Sequence, residues 1–218
     1  MAATTRIIVA DDHPLFREAI QQALAGLFGD VGFVEADSFE SLEVAARENE
    51  DAELVLLDLD MPGAHGFSAL AWLRAQYPAL PVVIVSAMSD PTIMRRAIEF
   101  GASGFIPKSS PITEIGQAVR AVQDGDVWLP ESALAAADEN LSENRRLAEH
   151  IASLTPQQFR VLMMIADGLL NKQIAGELDV SEATVKAHVT AIFRKMHVRS
   201  RTQAAVAARR LEQAARVE

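Results

Sequence analysis

The sequence predicts two architectures in one chain: an α/β domain built as a doubly wound parallel sheet, (βα)5, followed by an all-α domain. Three observations predict it. In residues 1–125 short apolar runs alternate five times with stretches of helical period, the pattern of βαβ crossovers in a parallel sheet covered on both faces. From residue 151 onward every apolar repeat has helical spacing and no strand pattern occurs. The charge also changes sign, the net −10 dividing into −11 over residues 1–130, −3 over 131–150 and +4 over 151–218.

The five units follow in order. "RIIVA" (6–10) precedes a helical pattern through Leu15, Ala19, Leu24 and Phe28. "GFVEA" (32–36) leads into a helix over 38–48, and "ELVLL" (53–57) into one over about 66–76. "PVVIVS" (81–86) leads into 91–100, and "SGFIP" (103–107) into 111–123. Runs such as Leu54–Leu57, apolar without alternation, suit strands buried on both faces. Pro78, Pro81, Gly101 and Gly104 stand where the units turn. Residues 126–150 are expected to connect the domains, and 131–150, rich in Ala, Glu and Asn, read equally as a helix or a loose linker.

Composition removes several classes of function. The chain has no cysteine, which excludes disulfides, thiolate zinc sites and a catalytic thiol. The segment "MAATTRIIVADD" has no basic stretch followed by a signal-like apolar core, and no apolar run approaches a membrane span. A cytoplasmic protein with no membrane partner is expected. Only the basic C-terminal part has a charge suited to nucleic acid.

Polar residues stand at the carboxyl ends of four predicted strands. Asp11 and Asp12 follow "RIIVA", Asp58 follows "ELVLL", Ser86 closes "PVVIVS" and Lys108 follows "GFIP". In open parallel sheets ligands bind beyond those ends, so all five should share one rim. Singly, each Asp reads as a helix cap or turn residue. Together, three carboxylates repel unless a cation offsets them, and oxygen donors of this type suit Mg²⁺ beside a phosphate. Lys108 and Ser86 would hold phosphoryl oxygens, and an Asp so placed can attack phosphorus to form an acyl phosphate.

In the C-terminal part, "LTPQQF" places Thr155, Pro156 and Gln158 as N-cap, first helical residue and N3 of a helix. Phe159, Leu162, Ile165 and Leu169 share one face of it, and Gly168 helps to end it. Two more helical segments follow, broken at "DVS", where Ser181 can cap the second. In that segment Val185, Val189, Ile192 and Met196 form a stripe, so Lys186, Ala187, Thr190 and Arg194 face outward. Such a face reads either as a solvated surface or as one that enters a DNA major groove. His188 lies between the faces, as a phosphate contact or a boundary histidine.

Residues 5–125 resemble the receiver domain of two-component response regulators, on "ADDHP", "LLDLDMPG", "VSA" and "GFIPKS". The resemblance implies that Asp58 accepts a phosphoryl group from a histidine kinase. It implies Mg²⁺ held by Asp12, Asp58 and the backbone carbonyl of Asp60, and by Asp11 through water, with Ser86 as the hydroxyl and Lys108 as the lysine of the site. Ala87 occupies the family's small position and Phe105 that of its switch aromatic, a residue that plain core packing would also explain. Residues 152–207 are similar to the LuxR-type helix-turn-helix, on "LTPQQFRVL", "GLLNKQIAGELDVSEATVKAHVTAIFRKM" and "SRTQAA". That match implies a four-helix domain over 151–218 with a recognition helix from 182 to about 196. Thr184, Lys186, Ala187, Thr190 and Arg194 would meet double-stranded DNA, with Lys172 and Lys195 on its backbone, and a last helix over about 201–214 would support a homodimer.

Two residues depart from the LuxR-type pattern, Arg160 where Glu is usual and Ala191 where Asn is usual. The first falls at a helix-packing ion pair of the pattern and the second at a backbone contact, and neither touches the fold assignment. Both halves together resemble the NarL/FixJ subfamily, phosphorylation-controlled transcription factors. An enzymatic alternative starts from "DLD" (58–60), similar to the Asp-x-Asp of haloacid dehalogenase phosphatases, but Pro62 stands where that pattern wants Thr or Val.

Overall fold

A computed structural model of the chain describes residues 5–134 and 141–215. The predicted connector at 135–140 lies outside the described residues. Five strands, β1 (Thr5–Ala10), β2 (Val31–Ala36), β3 (Leu54–Leu57), β6 (Val82–Ser86) and β7 (Gly104–Pro107), form one parallel sheet in the order β2-β1-β3-β6-β7. Two short strands, β4 (Asp60–Met61) and β5 (Ala64–His65), form a separate antiparallel hairpin just after β3.

Alternate residues of the strands separate into two cores, which is why the runs carry no polar face. Ile7, Val9, Leu54, Leu56, Val83, Val85 and Ile106 pack with α1 (Pro14–Phe28) and α5 (Ile112–Gln123). Ile8, Ala10, Val55, Leu57, Val82, Ile84 and Phe105 pack with α2 (Phe39–Glu48), α3 (Ser68–Gln76) and α4 (Pro91–Glu99). The direction of winding reverses between β1 and β3, and that switch point opens a crevice at the strands' carboxyl ends. Close approach favours glycine at 104: a Cβ there would lie 3.1 Å from the Trp128 carbonyl and 3.2 Å from the Trp128 Cβ, so the Trp128 segment would have to give by a few tenths of an ångström.

The connector starts as an extended stretch in which Trp128 bridges to Gly104 in parallel, and its described remainder holds two helices, α6 (Glu131–Leu134) and α7 (Leu141–Ala152), both packed on α4. The C-terminal domain is α8 (Pro156–Ala166), α9 (Asn171–Glu177), α10 (Glu182–Lys195) and α11 (Arg201–Ala214). The expected capping box at Thr155 is present, each of Thr155 and Gln158 bonding the other's backbone N–H with its side chain. Ser181 and Ser200 cap α10 and α11. Phe159, Leu162, Ile174, Val185, Ile192 and Leu211 are fully buried between the four helices.

Two arginines of α11 close the far end of α8. Arg209 donates twice to the Ala166 carbonyl, at 3.2 and 3.0 Å, and Arg201 donates to the Leu169 carbonyl and, at 2.9 Å, to the Asn171 side chain. Carbonyls at a helix end lack intrahelical partners, and cations there also oppose the helix dipole. Among the described residues no helix is long and apolar enough to cross a membrane.

The two domains are packed together. The Phe39 and Phe159 rings lie 6.2 Å apart, and Phe39 meets Trp72 edge-on at 5.4 Å. The Phe67 N–H donates to the Leu211 carbonyl at 3.0 Å and the Gln76 side chain to the Leu154 carbonyl at 3.3 Å. The described contacts of α10 of any extent are with α8, α9 and α11, so the receiver-side packing falls on α7, α8 and the end of α11.

Candidate functional site

Of the expected rim residues, Asp11, Asp12, Asp58 and Lys108 come together at the switch point, and Ser86 ends the neighbouring strand. Asp11 follows β1, its backbone N–H donating to the Ala36 carbonyl at 2.9 Å. Asp58 follows β3, tied in the same way to the Ala10 carbonyl at 2.8 Å. Backbone bonds to a neighbouring strand therefore hold both acids at the sheet edge. Lys108 follows β7, and its Nζ reaches Asp11 Oδ2 at 2.6 Å and Asp58 Oδ2 at 2.8 Å. The Lys108 N–H donates to the Ser86 carbonyl at 2.7 Å, which locks the ends of β6 and β7 together. The Ser86 hydroxyl oxygen is buried and accepts the Met88 N–H at 3.3 Å.

Burial pushes the Asp58 carboxyl above its ordinary value, a tendency that its hydrogen bond from Lys108 opposes and the Asp11 charge reinforces. Burial works against the Lys108 ammonium, yet the hydrogen bonds to Asp11 and Asp58 outweigh it and raise that group. The site thus holds two buried carboxylates around one ammonium, a charge deficit that favours a further cation.

Ligand atoms of Asp11, Asp12, His13 and Asp58 all lie within 4.8 Å of one another. His13, which sequence reasoning passed over, is the N-cap residue of α1 but caps nothing with its side chain. Its ring turns back to the acids instead, with Nδ1 2.6 Å from Asp12 Oδ1 and 3.2 Å from Asp11 Oδ1. Phe16 and Arg17 were also missed. The Lys108 Nζ sits 4.8 Å over the Phe16 ring, and Arg17 donates to the Asp11 carbonyl at 2.6 Å. The adjacency of His13 to the acid pair was a visible signal; Phe16 and Arg17 read only as helix surface.

Asp60 opens the β4–β5 hairpin two residues beyond Asp58, with its side chain exposed, and Ala87 is exposed beside Ser86. Phe105 is fully buried in β7. In the C-terminal domain Thr184, Lys186, Ala187, Thr190 and Arg194 are all exposed on α10, as is Lys172 on α9. The Thr184 hydroxyl shares the cap with Ser181 at 2.9 Å, and the Thr190 hydroxyl bonds the Lys186 carbonyl. Lys195 sits differently: its Nζ donates to the Ser153 carbonyl at 2.6 Å and to the Gln158 side chain at 2.8 Å, fastening α10 to the start of α8.

Comparison with known proteins agrees with this geometry. Residues 7–120 match the family described as response regulator receiver domain, and residues 152–208 that described as bacterial regulatory proteins, luxR family. The chain is 42% identical over 208 residues to the glycerol metabolism activator of Pseudomonas putida, covering 93% of this chain and 94% of that one. It is 33% identical over 201 residues to the nitrate/nitrite response regulator NarL of Escherichia coli, covering 92% and 93%. In fold it is similar to RcsB of Salmonella enterica serovar Typhimurium, solved bound to promoter P1flhDC with the phosphomimetic BeF3-, with a TM-score of 0.54, 24% identity and coverage of 94% and 98%.

Proposed function

The chain belongs to the response regulators that join a receiver to a luxR-type DNA-binding domain, and from that premise we propose how this one works: Asp58 takes a phosphoryl group from a histidine kinase and thereby controls pairing of the chain on double-stranded DNA. The observation that carries the reading is the convergence of Asp11, Asp58 and Lys108 from three strand ends, with the ammonium within 2.8 Å of both acids. It is a phosphoacceptor and not an enzyme that turns over a separate substrate.

In the transfer a carboxylate oxygen of Asp58 attacks phosphorus as the bond to the kinase histidine breaks, leaving an acyl phosphate on Asp58. Lys108 offsets charge on the phosphoryl oxygens, and the Ser86 hydroxyl lies on the same rim to hydrogen-bond one of them. The donors fit Mg²⁺, since the carboxylates of Asp11, Asp12 and Asp58 are hard oxygen ligands grouped closely enough for one ion. Those residues would hold it with the backbone carbonyl of Asp60. When bound, the ion supplies the positive charge that lets several anions meet. Phe105, buried between β7 and α4, is assigned the repacking that follows phosphorylation, a local charge change that biases two packings.

The exposed face of α10 would enter the major groove, Thr184, Lys186, Ala187, Thr190 and Arg194 meeting the duplex and Lys172 its phosphates. The homodimer forms in the cytoplasm on activation. The test is mass in solution. With Mg²⁺ and beryllofluoride, a mimic of the phosphoryl group, the chain should pass from monomer to dimer, and Asp58→Ala should remain a monomer. A wild-type mass that ignores beryllofluoride contradicts the reading.

A further inference from the structure

Among the described residues three acids are buried: Asp11, Asp58 and Glu43. The first two belong to the phosphoacceptor pocket. Glu43 lies on α2, and its partner comes from the other domain: Arg160 of α8 places both arms of its guanidinium on the Glu43 carboxylate, Nε at 3.1 Å from Oε1 and Nη2 on Oε2. This is the arginine that stands where LuxR-type domains usually carry glutamate. We propose that Glu43 and Arg160 form a latch between the domains, a charge pair that holds the DNA-binding domain on its own receiver by α8 and sets how many molecules are open before phosphorylation.

The placement supports a latch rather than a chance surface pair. Phe39 and Glu43 are four residues apart on α2 and so share a face, and they meet consecutive residues of α8, Phe159 and Arg160. A bidentate guanidinium and an aromatic contact fix the register between the helices together. A buried carboxylate without a partner is costly. Arg160 of the docked domain supplies the cation that the buried Glu43 carboxylate needs. The pair is open to solvent on one side, the Arg160 side chain being 43% exposed and that of Glu43 8%, so it adds registry more than strength, which suits a closed form that must open.

The latch also lies close to the site of phosphoryl transfer. Asp58 leads into the β4–β5 hairpin, and the Pro62 carbonyl at its turn accepts the Phe39 N–H at 2.8 Å. Glu43 is one helical turn further along α2. The hairpin, Phe39, Glu43, Arg160 and Met163 border one cleft of about 610 Å³ between the domains. A movement of the hairpin would therefore reach the latch through α2, by a path separate from Ser86 and Phe105.

This inference rests on the proposed phosphoryl control at Asp58, which it extends to opening of the two domains, and its test separates the two. Trp72 is buried beside Phe39 and lines the same interface as Pro156 and Arg160. In full-length protein carrying Trp128→Phe, the emission and acrylamide quenching of Trp72 report docking. Glu43→Arg and Arg160→Glu should each move the closed-to-open ratio by about tenfold or more toward the open form. The exchanged pair, Glu43→Arg with Arg160→Glu, should return the signal to that of the parent. Single variants with parental quenching overturn the latch, as does an exchanged pair as open as the singles. If the single variants open but Mg²⁺ and beryllofluoride leave the parent closed, the latch stands and phosphoryl control does not.

Discussion

Incubated with acetyl phosphate and Mg²⁺, the wild-type chain should gain one phosphoryl group by intact mass, and Asp58→Ala should gain none. The expected contrast is all or none because Asp58 is the carboxylate that meets the Lys108 ammonium, at 2.8 Å, with an oxygen left to attack. Asp11 is also bound by Lys108, but its Oδ1 is engaged by the N–H and ring of its neighbour His13, at 2.9 and 3.2 Å. Lys108→Ala is the companion variant. It keeps the nucleophile and removes the group that neutralises charge on the phosphoryl oxygens, so labelling should slow by about 10²-fold or more while the modified site stays the same. Equal labelling of wild type and Asp58→Ala would refute the assignment.

A duplex selected from a random pool by the beryllofluoride-activated protein should be bound with a steep dependence on salt. Among the described residues 152–215, the side chains of Lys172, Lys186, Arg194 and Arg199 are exposed and form no hydrogen bond or ion pair within the chain. Two copies of the domain bring twice that number to DNA. With Lys186 kept for a base, the other three cations of each copy neutralise six phosphates, and affinity falls by about 10³-fold between roughly 50 and 200 mM salt, at a slope near 0.9 per phosphate. Lys186→Ala, on the outward face of α10, should cost about 1–3 kcal/mol and relax preference at the base it meets. Lys172→Ala should weaken all sequences alike and flatten the salt slope. Binding indifferent to salt would remove DNA from the account.

The architecture was legible because the strands are buried on both faces. Runs such as Leu54–Leu57 admit one reading once they alternate with amphipathic helices, and the observed strands fall within a residue of the expected ones. The rim acids were legible for a related reason: a charge directly after an apolar run must lie at a strand end. The β4–β5 hairpin was not, since two-residue strands around Pro62 and Gly63 carry no period. The sequence around α7 suits a helix or a linker equally, because Leu147 and Ile151, though four residues apart and buried, follow an alanine-rich stretch. The docking of the domains was invisible for a deeper reason. Phe39, Trp72 and Phe159 satisfy the pattern of their own elements, and nothing in a local period says that an apolar residue's neighbour lies more than a hundred positions away.

The two arginines that α11 turns onto the end of α8 affect how an alanine scan of this domain should be interpreted. Arg201 and Arg209 look like ordinary contributors to a basic surface, yet their guanidinium groups are spent on carbonyls of the same domain. Replacing either would weaken DNA binding by loosening the scaffold that presents α10, and a scan scored by affinity alone would enter both as phosphate contacts. A melting curve of the protein without DNA distinguishes such supports from residues that touch the duplex.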